Sequence, residues 1–160
     1  MVESGEQAEM LVRSMRYPPN GIRGVGGAGA RATRFSKDTD YLATADDEMC
    51  LVVQVENPAG LDALDDLVQV EGVDAVFIGP SDLSANMGHI GNPSAPEVVA
   101  AVDDALDRIV ASDKASGIMA LDPAAAKAYL DRGVDFVAVS IDARTLALSL
   151  RALAAEMRDR

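Results

Sequence analysis

Tryptophan is absent from this chain of 160 residues, and aromatic residues of all kinds make up only 4% of it. The core must therefore rest on aliphatic contacts, which a 49% hydrophobic share rich in Ala, Val and Leu can provide. That much apolar surface offsets the ordering entropy and excludes an intrinsically disordered chain. Cysteine occurs once, at Cys50, which rules out an intramolecular disulfide and suits a reducing cytosol; a cytoplasmic location is expected. No apolar run reaches the length of a membrane span, and the N-terminus lacks a basic-then-apolar export signal. Positive charge is scarce too: 14 Lys and Arg stand against 26 Asp and Glu, for a net charge of −12 and a pI near 4.3. A field of that sign repels phosphate, which excludes nucleic acid and anionic membrane surfaces as partners.

What is present has two periods. Ala8, Leu11, Val12 and Met15 make a helical stripe over residues 5–16, with Ser4 placed to cap it. Tyr17-Pro18-Pro19-Asn20-Gly21 ends that helix, a glycine-rich loop follows over 21–30, and a short helix is expected over 40–48. Four short apolar runs then read as strands: Cys50–Val55, Ala75–Ile78, Gly117–Leu121 and Phe136–Ile141. They are continuously apolar rather than alternating, as parallel strands covered on both faces would be. Helical stripes separate and follow them: Leu61, Leu64 and Val68; Val98, Val102, Leu106 and Ile109; residues 123–132 between Pro123 and Gly133; and Leu146, Leu150, Leu153 and Met157. The order βαβαβαβα predicts an α/β fold with a parallel sheet in a single domain, residues 1–160, with no repeated sequence motif in its βα units.

In such folds chemistry gathers at the C-terminal ends of the strands. Glu56 follows the first strand and Asp82 the second. On neighbouring strands their backbones would lie about 4.8 Å apart. Two carboxylates so placed repel each other unless a proton or a cation lies between them. A hard divalent ion such as Mg²⁺ or Mn²⁺ would relieve that repulsion and keep positions open for substrate; the alternative is that both residues cap the helices that follow. The tight exit Gly79-Pro80 leaves the amides of Ser81 and Asp82 free for a carboxylate, or else Ser81 or Asp82 caps a helix. Gln54, two residues before Glu56, shares its face and either orients a carbonyl oxygen or bonds to backbone in the core.

Other candidates read as ordinary. The glycine-rich loop lacks the ending of a phosphate loop. Arg23, Arg31 and Arg34 are placed to meet an anionic substrate or a partner subunit, or are simply solvated. His89, the one histidine, is expected on the surface; Cys50 is expected in the core, and Asp142 as the cap of the last helix, reaching the amides near Arg144 and Thr145.

The longest runs carry a resemblance. Arg16-Tyr17-Pro18-Pro19-Asn20-Gly21-Ile22-Arg23-Gly24-Val25-Gly26, Val53-Gln54-Val55-Glu56, the stretch from Glu71 to Ser84, Met87-Gly88-His89-Ile90-Gly91-Asn92-Pro93, and the stretch from Phe136 to Asp142 together resemble the HpcH/HpaI aldolases over nearly the whole chain. The resemblance implies a (β/α)₈ TIM barrel, of which this chain would be the second, C-terminal half, strands five to eight. It implies a lyase that cleaves 4-hydroxy-2-oxo acids to pyruvate and an aldehyde, and runs the reverse addition. Glu56 and Asp82 would hold Mg²⁺, Mn²⁺ or Co²⁺; Gln54 would approach the bound pyruvate; the amides at Ser81 and Asp82 would hold its carboxylate. None of the three lysines stands at a strand end, in keeping with a mechanism that needs no covalent lysine intermediate. The family's catalytic histidine and substrate-binding arginine belong to the first four strands, so no catalytic base is expected here. An open half-barrel exposes apolar edges, which predicts a homo-oligomer or a complementing half-barrel as partner. A metal-binding half without chemistry, or a structural half completed by another chain, are the alternatives to an active aldolase.

Overall fold

Four strands, β1 (Val52–Val55), β2 (Ala75–Ile78), β3 (Ala115–Met119) and β4 (Phe136–Ala138), form one parallel sheet in sequential order in the computed structural model, which describes residues 1–158. Helices α1 (Gly5–Met15) and α2 (Tyr41–Thr44) precede the sheet. Between strands run α3 (Pro58–Asp62) and α4 (Leu64–Leu67), then α5 (Pro80–Asn86) and α6 (Pro96–Val110), then α7 (Pro123–Asp131). Helix α8 (Asp142–Arg158) closes the order. The βα alternation matches the sequence reading, with shifted bounds: β1 starts later, β3 starts and ends earlier, and β4 is only three residues long.

The register aligns Val55, Ile78, Ile118 and Val137 in one row across all four strands. With Val53 and Val76 this row faces Leu64, Leu67, Val98, Val102, Leu106 and Ile109, and these residues make the core. Among the described residues, only this face is covered. On the other face Val52 and Phe136 are 47% and 59% exposed, and Gln54 is exposed beside them. The expectation of strands covered on both faces is thus corrected: the helices of this chain bury one side of the sheet. On the open side Phe77 and Phe136 lie 5.9 Å apart across Gly117, where a Cβ would collide with the Phe77 ring. The edge of β1 is not bare, since the Val2 N–H donates to the Gln54 carbonyl at 2.9 Å.

The helix punctuation largely follows the sequence. Ser4 accepts from the Gln7 N–H, Asp122 from the Ala125 N–H, and Gly133 takes φ +98° just after α7. Two local expectations fail. Asp142 is the first residue of α8 and accepts from the adjacent Ala143 N–H, while the Thr145 N–H turns to Ile141 O; Asp142 is one residue too far into the helix to reach further amides. Cys50 is exposed, because β1 begins two residues after it.

A repeat also emerges that no local pattern in the sequence announces. Gly72-Val73-Asp74 and Gly133-Val134-Asp135 do the same work at the starts of β2 and β4. Each glycine has positive φ and each valine is buried. Asp74 accepts from the Leu51 N–H at 2.6 Å, and Asp135 from the Ser116 N–H at 2.8 Å. The backbone donation from Ser116 holds the Asp135 carboxyl below the usual carboxylate range. Three residues are too few to stand out against apolar periodicity. Among the described residues, no helix is long and apolar enough to cross a membrane.

Candidate functional site

The two carboxylates singled out in the sequence meet at the C-terminal edge of the sheet. Glu56 is the residue just past β1, and Asp82 stands in the first turn of α5, directly after β2. Pairing Val55 with Ile78 brings these two exits side by side. Burial pushes the Glu56 carboxyl above its ordinary range, and the charge of Asp82 pushes it further. Glu56 is buried and Asp82 is exposed, so the pair opens to solvent on one side.

Neither residue is used as a helix cap. The cap of α3 is Asn57, whose Oδ1 accepts from the Gly60 N–H at 2.8 Å. The cap position of α5 is Gly79, and no side chain caps that helix. The capping alternative for Glu56, Ser81 and Asp82 therefore falls away. What Gly79 provides is space, because a Cβ there would overlap Glu56 Oε2 and only glycine leaves room for the carboxylate where it lies.

Of the remaining predicted residues, Ser81 sits one residue before Asp82 in α5, and its N–H precedes the first bond that closes the helix, Leu83 N–H to Gly79 O. Gln54 lies on the open face of β1, and among the described residues its side chain makes no hydrogen bond, so the core alternative does not hold. Met119, Leu121 and Tyr129, which carry no chemical motif, line with Ser81 a cavity of about 420 Å³ beside α5. Their apolar character gives them no signal distinct from the core. His89 is set apart from the carboxylates, with Nε2 3.8 Å from Glu97. Arg23 stacks 4.5 Å from the Tyr17 ring centroid and donates to the Tyr41 hydroxyl, so it serves loop packing; Arg31 and Arg34 are exposed.

Among the described residues no cluster of three or more His, Cys, Asp or Glu exists that would enclose a metal. The pair offers two hard oxygen donors, an arrangement that fits a divalent ion completing its shell with water and substrate rather than a closed protein cage.

The family model described as HpcH/HpaI aldolase/citrate lyase matches residues 1–148. The chain belongs to this family. It is 55% identical over 158 residues to the hydroxypyruvate/pyruvate aldolase of Roseovarius nubinhibens, covering 99% of the chain and 62% of that relative. It is 50% identical over 155 residues to the 4-hydroxy-2-oxo-heptane-1,7-dioate aldolase of Escherichia coli, covering 97% of the chain and 59% of the relative. An HpcH/HpaI aldolase/citrate lyase family protein from Burkholderia cenocepacia superposes with a TM-score of 0.92 at 36% identity, over 99% of this chain and 63% of that one. The fold of this HpcH/HpaI chain is thus a partial TIM-barrel-like aldolase domain, spanning about three-fifths of the length of the relatives it matches. The comparisons assign the matched stretch to the N-terminal portion of those relatives, not the C-terminal portion expected from the sequence, so the numbering of the strands as five to eight is not carried forward.

Proposed function

We propose that this chain carries the cation- and oxo-acid-binding part of a lyase that cleaves a 4-hydroxy-2-oxo acid to pyruvate and an aldehyde, and joins them in reverse. The observation that carries this reading is the Glu56–Asp82 pair: two carboxylates driven together at adjacent strand ends, one of them buried, in a chain 55% identical to a named aldolase. Charge so arranged is unfavourable without a proton or a cation between the two groups. A divalent ion such as Mg²⁺, Mn²⁺ or Co²⁺ held there supplies Lewis acidity toward the keto oxygen, where negative charge develops as the carbon–carbon bond breaks.

The chain's own groups do the rest of the positioning. Glu56 and Asp82 hold the cation, the N–H groups of Ser81 and Asp82 meet the carboxylate of the oxo acid, and the Gln54 amide approaches from the open face. Residues 1–160 act as one partial barrel domain. The uncovered face, with Val52 and Phe136 exposed, favours assembly with a second copy or a complementing half-barrel, which would also bring the proton-transfer groups that the described residues lack at this site.

Pyruvate release from a 4-hydroxy-2-oxo acid in the presence of Mn²⁺ tests the reading. Release abolished by EDTA and by Asp82→Ala is the expected result. Mn²⁺ binding that is unchanged in Asp82→Ala would remove the basis of the proposal, whatever the activity.

A further inference from the structure

Asn86, the last residue of α5, carries no role that its sequence context announces. Its side-chain Nδ2 donates to two backbone carbonyls: that of Glu56, at 3.1 Å, and that of Asp82, at 3.0 Å. These are the two residues whose carboxylates form the site. An amide NH₂ has two hydrogens, and both are used here. The opposite orientation of the amide would aim its oxygen at two carbonyl oxygens, so the acceptors fix the ring of contacts in one sense.

Position explains why such a brace is needed. Glu56 lies one residue beyond β1, where the ladder to β2 has ended with the Gly79 N–H bonded to Val55 O. Among the described residues, no backbone N–H reaches the Glu56 carbonyl. The first turn of α5 is likewise uncapped by any side chain. Two like charges thus sit on two backbone segments that the regular ladder does not join, and mutual repulsion drives them apart. Asn86 is the group that spans the gap.

We propose that Asn86 is a positioning residue for the carboxylate pair, locking the Glu56 and Asp82 backbones at the separation that a divalent cation requires. This rests on the reading of Glu56 and Asp82 as cation ligands. Asn86 touches neither carboxylate and is exposed, so it acts through the ligands and not as one of them. Outer partners of this kind are worth about 10- to 100-fold in metal affinity.

The test is Mn²⁺ affinity of the full chain, read from the electron paramagnetic resonance signal of free Mn²⁺, with thermal unfolding measured alongside. Asn86→Ala should weaken Mn²⁺ binding about 10-fold while the unfolding midpoint without metal stays at the wild-type value. Asn86→Asp, which has the same shape but turns an oxygen toward both carbonyls, should weaken binding more. Asn86→Gln, which keeps the NH₂ on a longer arm, should recover part of the loss. Wild-type Mn²⁺ affinity in Asn86→Ala, with Glu56→Gln and Asp82→Asn both impaired, overturns the role of Asn86 and leaves the site intact. Equal Mn²⁺ binding in wild type, Glu56→Gln and Asp82→Asn overturns the site itself and the brace with it. Loss of affinity that only tracks a lowered unfolding midpoint in every Asn86 variant would make the residue a general structural support, and also overturns the proposal.

Discussion

Helices α6 and α8 carry the same kind of apolar stripe and meet opposite fates. In α6, Val98, Val102, Leu106 and Ile109 are between 0% and 2% exposed. In α8, Leu146, Leu150, Leu153 and Met157 are between 49% and 62% exposed, and no residue of that helix is buried. Spacing of i, i+3, i+4 and i+7 creates a stripe on any helix, but burial needs an opposing surface. For α6 that surface is the row Val76, Ile78 and Ile118, which the same chain provides. For α8 the described residues provide none. The difference teaches that the two ends of this sheet are stabilised differently: the β1–β2 end, which bears the carboxylates, is anchored in a closed core, and the β4–α8 end is open.

The largest test of that contrast is Leu106→Ala. It should cost about 3 kcal/mol in urea unfolding, because a fully buried leucine loses its transfer energy and leaves a cavity. Next is Gly79→Ala, in which the new methyl group would displace the Glu56 carboxylate. Mn²⁺ affinity should fall by about 10-fold or more on the scale of a misplaced ligand, with Leu106-type destabilisation absent from the unfolding curve.

Acidification should act at the same end of the sheet. Burial and Asp82 raise the Glu56 pKa, so a proton competes with the cation from a higher pH than at an ordinary glutamate. Mn²⁺ affinity should drop as pH falls through that raised value, and Glu56→Gln should abolish both the affinity and its pH dependence. Without metal the sign reverses. The folded chain binds this proton more tightly than the unfolded one, so its contribution to stability is present at low pH and lost as pH rises through the raised value. Urea midpoints of the metal-free chain and of Glu56→Gln, compared on both sides of that value, check it.

The smallest effect is expected at the other end. Leu150→Ala should change stability by no more than about 0.5 kcal/mol, as for an exposed position. A cost equal to that of Leu106→Ala would break the comparison, and light scattering would then show whether a second copy covers α8.

Much of this was legible in the residues themselves. Apolar runs of four to six residues between turn signals located all four strands, and the motif around Glu56, and from Glu71 to Ser84, located the carboxylates. The Gly-Val-Asp staples escaped because their function is a hydrogen bond to the preceding strand, at Leu51 and Ser116, which lies outside any local window. Asn86 escaped for the same reason, since its acceptor at Glu56 lies thirty residues away.

The sequence by itself determined the alternation of strands and helices, the family, and the identity of the two acidic residues, because each is encoded in local period or local motif. Tertiary structure alone decided which face of the sheet is covered, that Glu56 and Asp82 come together at adjacent strand ends while Asn57 takes up the capping of α3, and that α8 finds no partner among the described residues. Those outcomes depend on register and on which surfaces meet, and both arise only when distant segments pack.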